Sequence, residues 1–276
     1  MRVPSTDGVE IAAHDLGGSG AALLVSHATG FHGRCYEPLA EALPARHCIA
    51  FDYRGHGDTD RPEGPLDWQH FGDDAVAMAA WLAERSGGPI DAFGHSMGGA
   101  CLLIAAHRRP ELFRRIVAFE PIVFPPAARS ANPDDSAMVQ GARRRRAAFP
   151  SFQAAIDNYA GKRPLSAFTP DALDAYVRHG FGEAADGQVH LKCTPDTEAT
   201  TFAGGPTHDT WDHLPTITTE VLVIAGRIEP MQPSDIAVQI AERLPHATYL
   251  QRDDLDHFGP MTHPREIAAI ITAALA

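Results

Sequence analysis

The sequence predicts an α/β fold, with a mostly parallel central sheet, helices on its faces and a helical cap inserted late in the chain. Three observations predict it. Apolar runs such as Ala21-Ala22-Leu23-Leu24-Val25-Ser26 lack the polar alternation of a half-solvated strand, as expected of strands covered on both faces. These runs alternate with segments of helical spacing, the order that builds a parallel sheet with crossover helices. Finally, Gly94-His95-Ser96-Met97-Gly98 stands between an apolar run and a small-then-apolar run. Strand, G-x-S-x-G and helix together hold a serine on a sharp turn with its hydroxyl presented outward.

Taken in order, Val9 to His14 follows an Asp7-Gly8 turn signal and reads as the second arm of a hairpin. Ala21 to Ser26 is a buried-type strand, followed by a loop through Gly33 and a short helix near Tyr36 to Leu43. His47 to Phe51 is the next strand, closed by Asp52-Tyr53-Arg54-Gly55-His56-Gly57. Phe71, Ala75, Met78, Ala79 and Leu82 recur at helical spacing before the Gly87-Gly88 break. Pro89 to Phe93 leads into the serine turn, Gly99 to Ala106 reads as a tightly packed helix, and Arg115 to Phe119 as a strand.

Beyond that point prolines cluster at Pro121, Pro125 and Pro126, and helices joined by polar loops follow, the better ones at Ala154 to Tyr159 and Asp171 to His179. This stretch is too long for a simple connection. It is read as a cap over residues 122–215, inserted into a sheet domain made of residues 1–121 and 216–276. The alternation resumes with a strand at Val221 to Ala225, a helix at Asp235 to Leu244, a strand at Ala247 to Leu250 and a helix at Arg265 to Leu275.

The 276 residues suffice for one large domain with an insertion. A net charge of -12 argues against nucleic acid or an anionic membrane as the main partner and leaves a small-molecule substrate. The basic run Arg143 to Arg146 is read as a solvated helix face. Cys35, Cys48, Cys101 and Cys193 have no metal-binding spacing, and Cys48 and Cys101 read as buried small hydrophobes. The first residues lack the apolar stretch of a secretory signal, and no run approaches a membrane span, so a reducing cytoplasm is the expected address.

A serine nucleophile needs a base, and the base needs a group to orient it. The chain has 15 histidines, so position discriminates among them. His257 lies between the last strand and the last helix, at the carboxyl edge of the sheet that Ser96 also occupies. Glu229, just after the strand ending at Ala225, is the preferred orienting acid. Glu120, just after the strand ending at Phe119, is the alternative, and Asp256 ranks third because neighbouring residues of an extended loop point apart. An oxyanion would be held by the backbone N–H of Met97 and by that of Thr29 or, next, Gly30. Phe31, His95 and Phe258 are the expected substrate contacts.

Two other features carry little. His208-Asp209 with Asp212-His213 imitates a metal cluster without a metalloprotease motif, and Trp211 beside them is read as cap packing. No G-x-G-x-x-G follows a strand, so a dinucleotide is unsupported; no cofactor and no metal are expected.

These residues resemble the α/β-hydrolase fold superfamily, in its cap-bearing branch. The resemblance rests on His27-Ala28-Thr29-Gly30-Phe31, on Asp52 to Gly57, on Gly94 to Gly99, on Gly226 with Glu229 and on His257-Phe258-Gly259-Pro260. They come in the superfamily's order of serine, acid and histidine. The chain departs from its pattern twice: His27 is followed by Ala28 where that superfamily usually has Gly, and Glu229 stands where it usually has Asp. The resemblance implies a hydrolase that forms an acyl-enzyme on Ser96, acting on a small carboxylic ester. Carbon–carbon bond hydrolysis of a diketone-like substrate and cofactor-free perhydrolysis are the enzymatic alternatives. A ligand receptor on the same fold is the non-enzymatic one. Ser96 argues against the dehalogenases and epoxide hydrolases of the superfamily, which use an Asp nucleophile.

Overall fold

A computed structural model describes residues 1–128, 132–229 and 232–276. Its strands in chain order are β1 (Arg2–Pro4), β2 (Glu10–Asp15), β3 (Ala21–Ser26), β4 (Arg46–Phe51), β5 (Ile90–His95), β6 (Phe113–Phe119), β7 (Ala148–Phe149), β8 (Phe181–Glu183), β9 (Val189–Leu191), β10 (Glu220–Ala225) and β11 (Ala247–Gln251). The main sheet has the order β1-β2-β4-β3-β5-β6-β10-β11. The β1/β2 and β2/β4 pairings are antiparallel, and the pairings from β4 onward to β11 are parallel.

The apolar runs become strands because both faces of this sheet are covered. Alternate residues point to opposite faces. Leu24, Ala92, Ile116, Ala118, Val223 and Ala225 enter one core, and Leu23, Val25, Phe93, Val117, Phe119 and Ile224 enter the other. The first core is closed by the helices Trp68–Ser86 and Met97–Arg108. The Asp67 side chain caps the former, and it stops at Gly87, whose φ of +73° suits glycine. Met97 to Ala106 are all buried, so this helix is apolar around its whole circumference because sheet and helices enclose it.

Between β6 and β10 the chain leaves the sheet. Helices Ala137–Arg143, Phe152–Ala160, Pro170–Gly180 and Pro195–Gly204 open on Ser136, Ser151, Thr169 and Thr194, whose side chains each accept from a backbone N–H of the first turn. These caps satisfy donors that a helix N-terminus otherwise leaves unpaired. Phe149, Tyr159, Phe168, Tyr176 and Phe181 of this segment join the second core of the sheet, so the two parts pack as one unit.

Two expectations are corrected here. The segment is not purely helical: β7, β9 and β8 form a small antiparallel sheet, of strands too short to show a period of two. Nor is the run Arg143 to Arg146 one solvated helix face. The helix ends at Arg143, and Arg145 turns inward, where Glu198 and the hydroxyls of Tyr159 and Tyr176 supply acceptors at 2.5–3.1 Å. All four cysteines are buried and free. Among the described residues, no helix is long and apolar enough to cross a membrane.

Candidate active site

The parallel strands end level with one another, and the residues just past their ends form the site. Ser96 follows β5 in an unusual backbone conformation, φ +57° and ψ -118°, and opens the helix Met97–Arg108. Such strain persists only where packing over-determines it. Here the packing is tight: a Cβ on Gly98 would lie 2.2 Å from the Ser26 carbonyl oxygen at the end of β3. The strand, helix and β3 therefore approach too closely for any larger residue at 98.

His257, in the loop after β11, reaches back to Ser96. Its Nε2 lies 3.1 Å from Ser96 Oγ, and its Nδ1 lies 2.6 Å from Glu120 Oε2. Because a carboxylate accepts, the proton of a neutral imidazole sits on Nδ1 and the Nε2 lone pair faces the serine hydroxyl. Glu120 is buried, and its other oxygen, Oε1, accepts from the Gly226 N–H at 2.7 Å.

This geometry corrects the preference for Glu229. Glu120 is the first residue past β6, which pairs directly with the strand carrying Ser96. Its N–H is anchored on the Ile224 carbonyl at 2.8 Å, and a φ of +45° turns its side chain toward the imidazole. Glu229 lies beyond β10 on an exposed loop, its N–H bonded to Ser234 Oγ at 3.2 Å. It lines the rim of a cavity of about 260 Å³ whose inner wall is Glu120 and His257. Gly226, which the sequence pairs with Glu229, instead supplies the N–H that holds Glu120. Asp256 accepts from the Phe258 N–H and does not reach the ring.

The loop 27–31 follows β3, whose last residue Ser26 pairs with Gly94 of β5, so it leaves the sheet at the edge where Ser96 lies. Gly30 has φ +75°, and a Cβ there would meet Glu198 Oε1 of the inserted segment at 2.4 Å. Phe31 packs against Phe168, Tyr176 and Phe258 with ring centroids 5.3–6.3 Å apart, giving an aromatic wall shared by sheet domain and insert. His95, expected as a substrate contact, meets that wall only at Phe31, edge-on with ring centroids 6.3 Å apart. It is wholly buried, with Nδ1 2.8 Å from Tyr36 Oη and Nε2 2.8 Å from the His257 carbonyl oxygen.

The histidines and acids at 208–213 do not gather into one group: His213 Nε2 meets Asp209 Oδ2 at 3.3 Å, but His208 belongs to a different set of contacts. His208 stacks on Trp68 and bonds Thr210 and the Ile122 carbonyl, whereas His213 stacks on His107. Trp211 packs under Arg243 of the helix Pro233–Arg243, a sheet-domain partner. Among the described residues, His14, Asp52 and Asp58 are the group close enough to share a cation. Asp52 already holds His14 and the N–H groups of Gly33 and Asp58, and Asp58 pairs with Lys192, so the group reads as the brace of the 52–58 turn.

A profile of the alpha/beta hydrolase family matches residues 22–270. The chain belongs to that family. It is an enzyme of the hydrolase class. It is similar to lipase LipV of Mycobacterium tuberculosis, 26% identical over 271 residues that cover 97% of this chain and 98% of that one. It is also similar to 2-(acetamidomethylene)succinate hydrolase of Mesorhizobium japonicum, 35% identical over 104 residues. That match covers 37% of this chain and 36% of the relative, about a third of its length. Among solved structures, E-2-(acetamidomethylene)succinate hydrolase superposes with a TM-score of 0.78 at 24% identity, covering 100% of this chain and 98% of that one. Peroxisomal alpha-beta-hydrolase Lpx1 of Saccharomyces cerevisiae gives 0.80 at 14% identity, covering 99% and 83%. At these identities the superpositions establish the fold.

Proposed function

We propose that this hydrolase cleaves a small carboxylic ester through an acyl-enzyme on Ser96. The observation that carries the reading is the unbroken contact series from Ser96 Oγ through His257 to Glu120. His257 Nε2 takes the hydroxyl proton as Oγ attacks the ester carbonyl, and Glu120 stabilises the imidazolium that forms. The tetrahedral oxyanion would be held by the N–H of Met97, which as the first helical residue has no acceptor within its own helix, and by that of Thr29 or Gly30. Collapse expels the alcohol with the proton from His257. A water activated by the same imidazole then releases the acid and restores Ser96.

The aromatic wall of Phe31, Phe168, Tyr176 and Phe258 suits an apolar acyl or alcohol group. We assign residues 122–215 as the cap that closes over it, residues 129–131 lying outside the described part. The lipase among the relatives supports an ester substrate. A fluorophosphonate probe and a panel of short esters test the reading together. The expected result is stoichiometric labelling at Ser96 and ester turnover, with Ser96→Ala removing the label and lowering kcat by about 10⁴-fold or more. A folded wild-type protein that resists the probe overturns the reading.

A further inference from the structure

Ala28, the residue before Thr29, sends its N–H to Tyr36 Oη at 3.1 Å. Tyr36 Oη meets His95 Nδ1 at 2.8 Å, and His95 Nε2 meets the backbone carbonyl of His257 at 2.8 Å. Every proton in this series is assigned by its neighbours. A carbonyl only accepts, so Nε2 carries the hydrogen; Nδ1 of the neutral ring must then accept, so the phenol donates to it, and the phenol oxygen accepts from Ala28. Burial enforces the same assignment, holding the His95 ring neutral well below the ordinary histidine range and raising the Tyr36 phenol well above its own. The other side of Ala28 is fixed in the same manner. His27 Nε2 accepts from the Tyr53 N–H at 3.0 Å, so its Nδ1 donates to the Ala28 carbonyl at 2.8 Å.

We propose that Tyr36 and His95 are positioning residues that lock the oxyanion loop and the loop of the catalytic base to each other through the residue adjoining the nucleophile. The geometry supports it because the two loops follow β3 and β11, four strands apart in the sheet order, and share no covalent tether shorter than most of the chain. His95 precedes Ser96 directly, so one series of three hydrogen bonds spans all three parts of the site. Both side chains are buried, so their effect is on where Ala28 and His257 stand.

The kinetic arm of the test rests on the serine-hydrolase reading; the spectroscopic arm does not. Tyr36→Phe keeps the ring and removes the link, and should lower kcat by about 10-fold with KM within about 2-fold, as a small misplacement of reacting groups does. At position 95 the two halves separate: Gln places an amide donor near the Nε2 site, and Asn an acceptor near the Nδ1 site. His95→Gln should therefore keep more kcat per probe-titrated site than His95→Leu, with Asn and Leu both losing the His257 restraint. Nitrogen NMR of the labelled wild type should show His95 neutral with the hydrogen on Nε2, and Tyr36→Phe should shift the Nδ1 signal. Tyr36→Phe with wild-type kcat, or a His95 ring protonated on Nδ1, overturns the proposal. An unlabelled wild type counts against the serine reading alone, and the NMR result still decides the lock.

Discussion

Glu120 and Glu229 offer the same carboxyl group, and what separates them is backbone. Glu120 is held at the end of a strand adjoining β5, with one oxygen on the Gly226 N–H and the other on His257 Nδ1. Replacing it by Gln presents an amide NH₂ to the imidazole, favours the wrong tautomer and should lower kcat by on the order of 10³-fold. Glu229→Gln changes an exposed rim and should leave kcat within about 2-fold. Steady-state kinetics of the two variants, read beside circular dichroism, decides the assignment, and equal losses would dissolve it. Ser96, His257 and both glutamates could be singled out in the sequence because each lies in the turn or loop that follows a strand its own sequence announces. The choice between the acids was not, since a residue's reach depends on φ, and nothing in the letters around Glu120 signals the left-handed backbone that aims it.

The helix Pro195–Gly204 and the turn carrying Arg145 form the inserted segment's own polar centre. Glu198 and Arg145 pair at 2.5 Å, the guanidinium also reaching Tyr159 and Tyr176, and Glu198 lies against Gly30 of the loop after β3. Removing one member leaves an uncompensated charge in a largely buried place. Arg145→Leu is therefore expected to destabilise the fold by about 3 kcal/mol, and the double change with Glu198→Leu to recover part of that loss. Urea unfolding of the two single variants and the double measures it; an additive double variant would mean the pair is not coupled. At this scale the sheet strands were readable from unbroken apolar runs, and the long helices from their spacing. Within the insert the sequence pattern revealed Phe152–Ala160 and Pro170–Gly180 but not Ala137–Arg143 or Pro195–Gly204, whose mixed faces hide their period and whose signal is the Ser136 and Thr194 caps.

Across the whole molecule, the buried histidines set how stability responds to acid. Burial pushes His27 down to about 3, and His32 and His56 down to about 4, with His95 also well below its ordinary value. In the unfolded chain these rings bind protons near pH 6.5, whereas in the fold they stay neutral to about pH 4. The unfolded state thus binds more protons throughout that window, and stability falls as pH drops through it, by about 1.4 kcal/mol per pH unit for each ring. Calorimetry should show Tm falling by roughly 10 °C or more between pH 6.5 and pH 4.5. A Tm independent of pH over that interval would require the rings to be charged inside the fold.

The order of the chain by itself determined the architecture, because apolar runs and helical spacing state which faces must be hidden from water, and hidden faces admit few arrangements. It also determined which residues gather at the carboxyl edge, since that follows from strand direction alone. Only the tertiary structure decided which carboxyl group meets the imidazole, that His95 joins Tyr36 to the His257 carbonyl, and that Arg145 turns inward. Each of these depends on distances of a few ångströms between segments remote in the chain, and hydrogen bonds discriminate at that range while hydrophobic patterning does not.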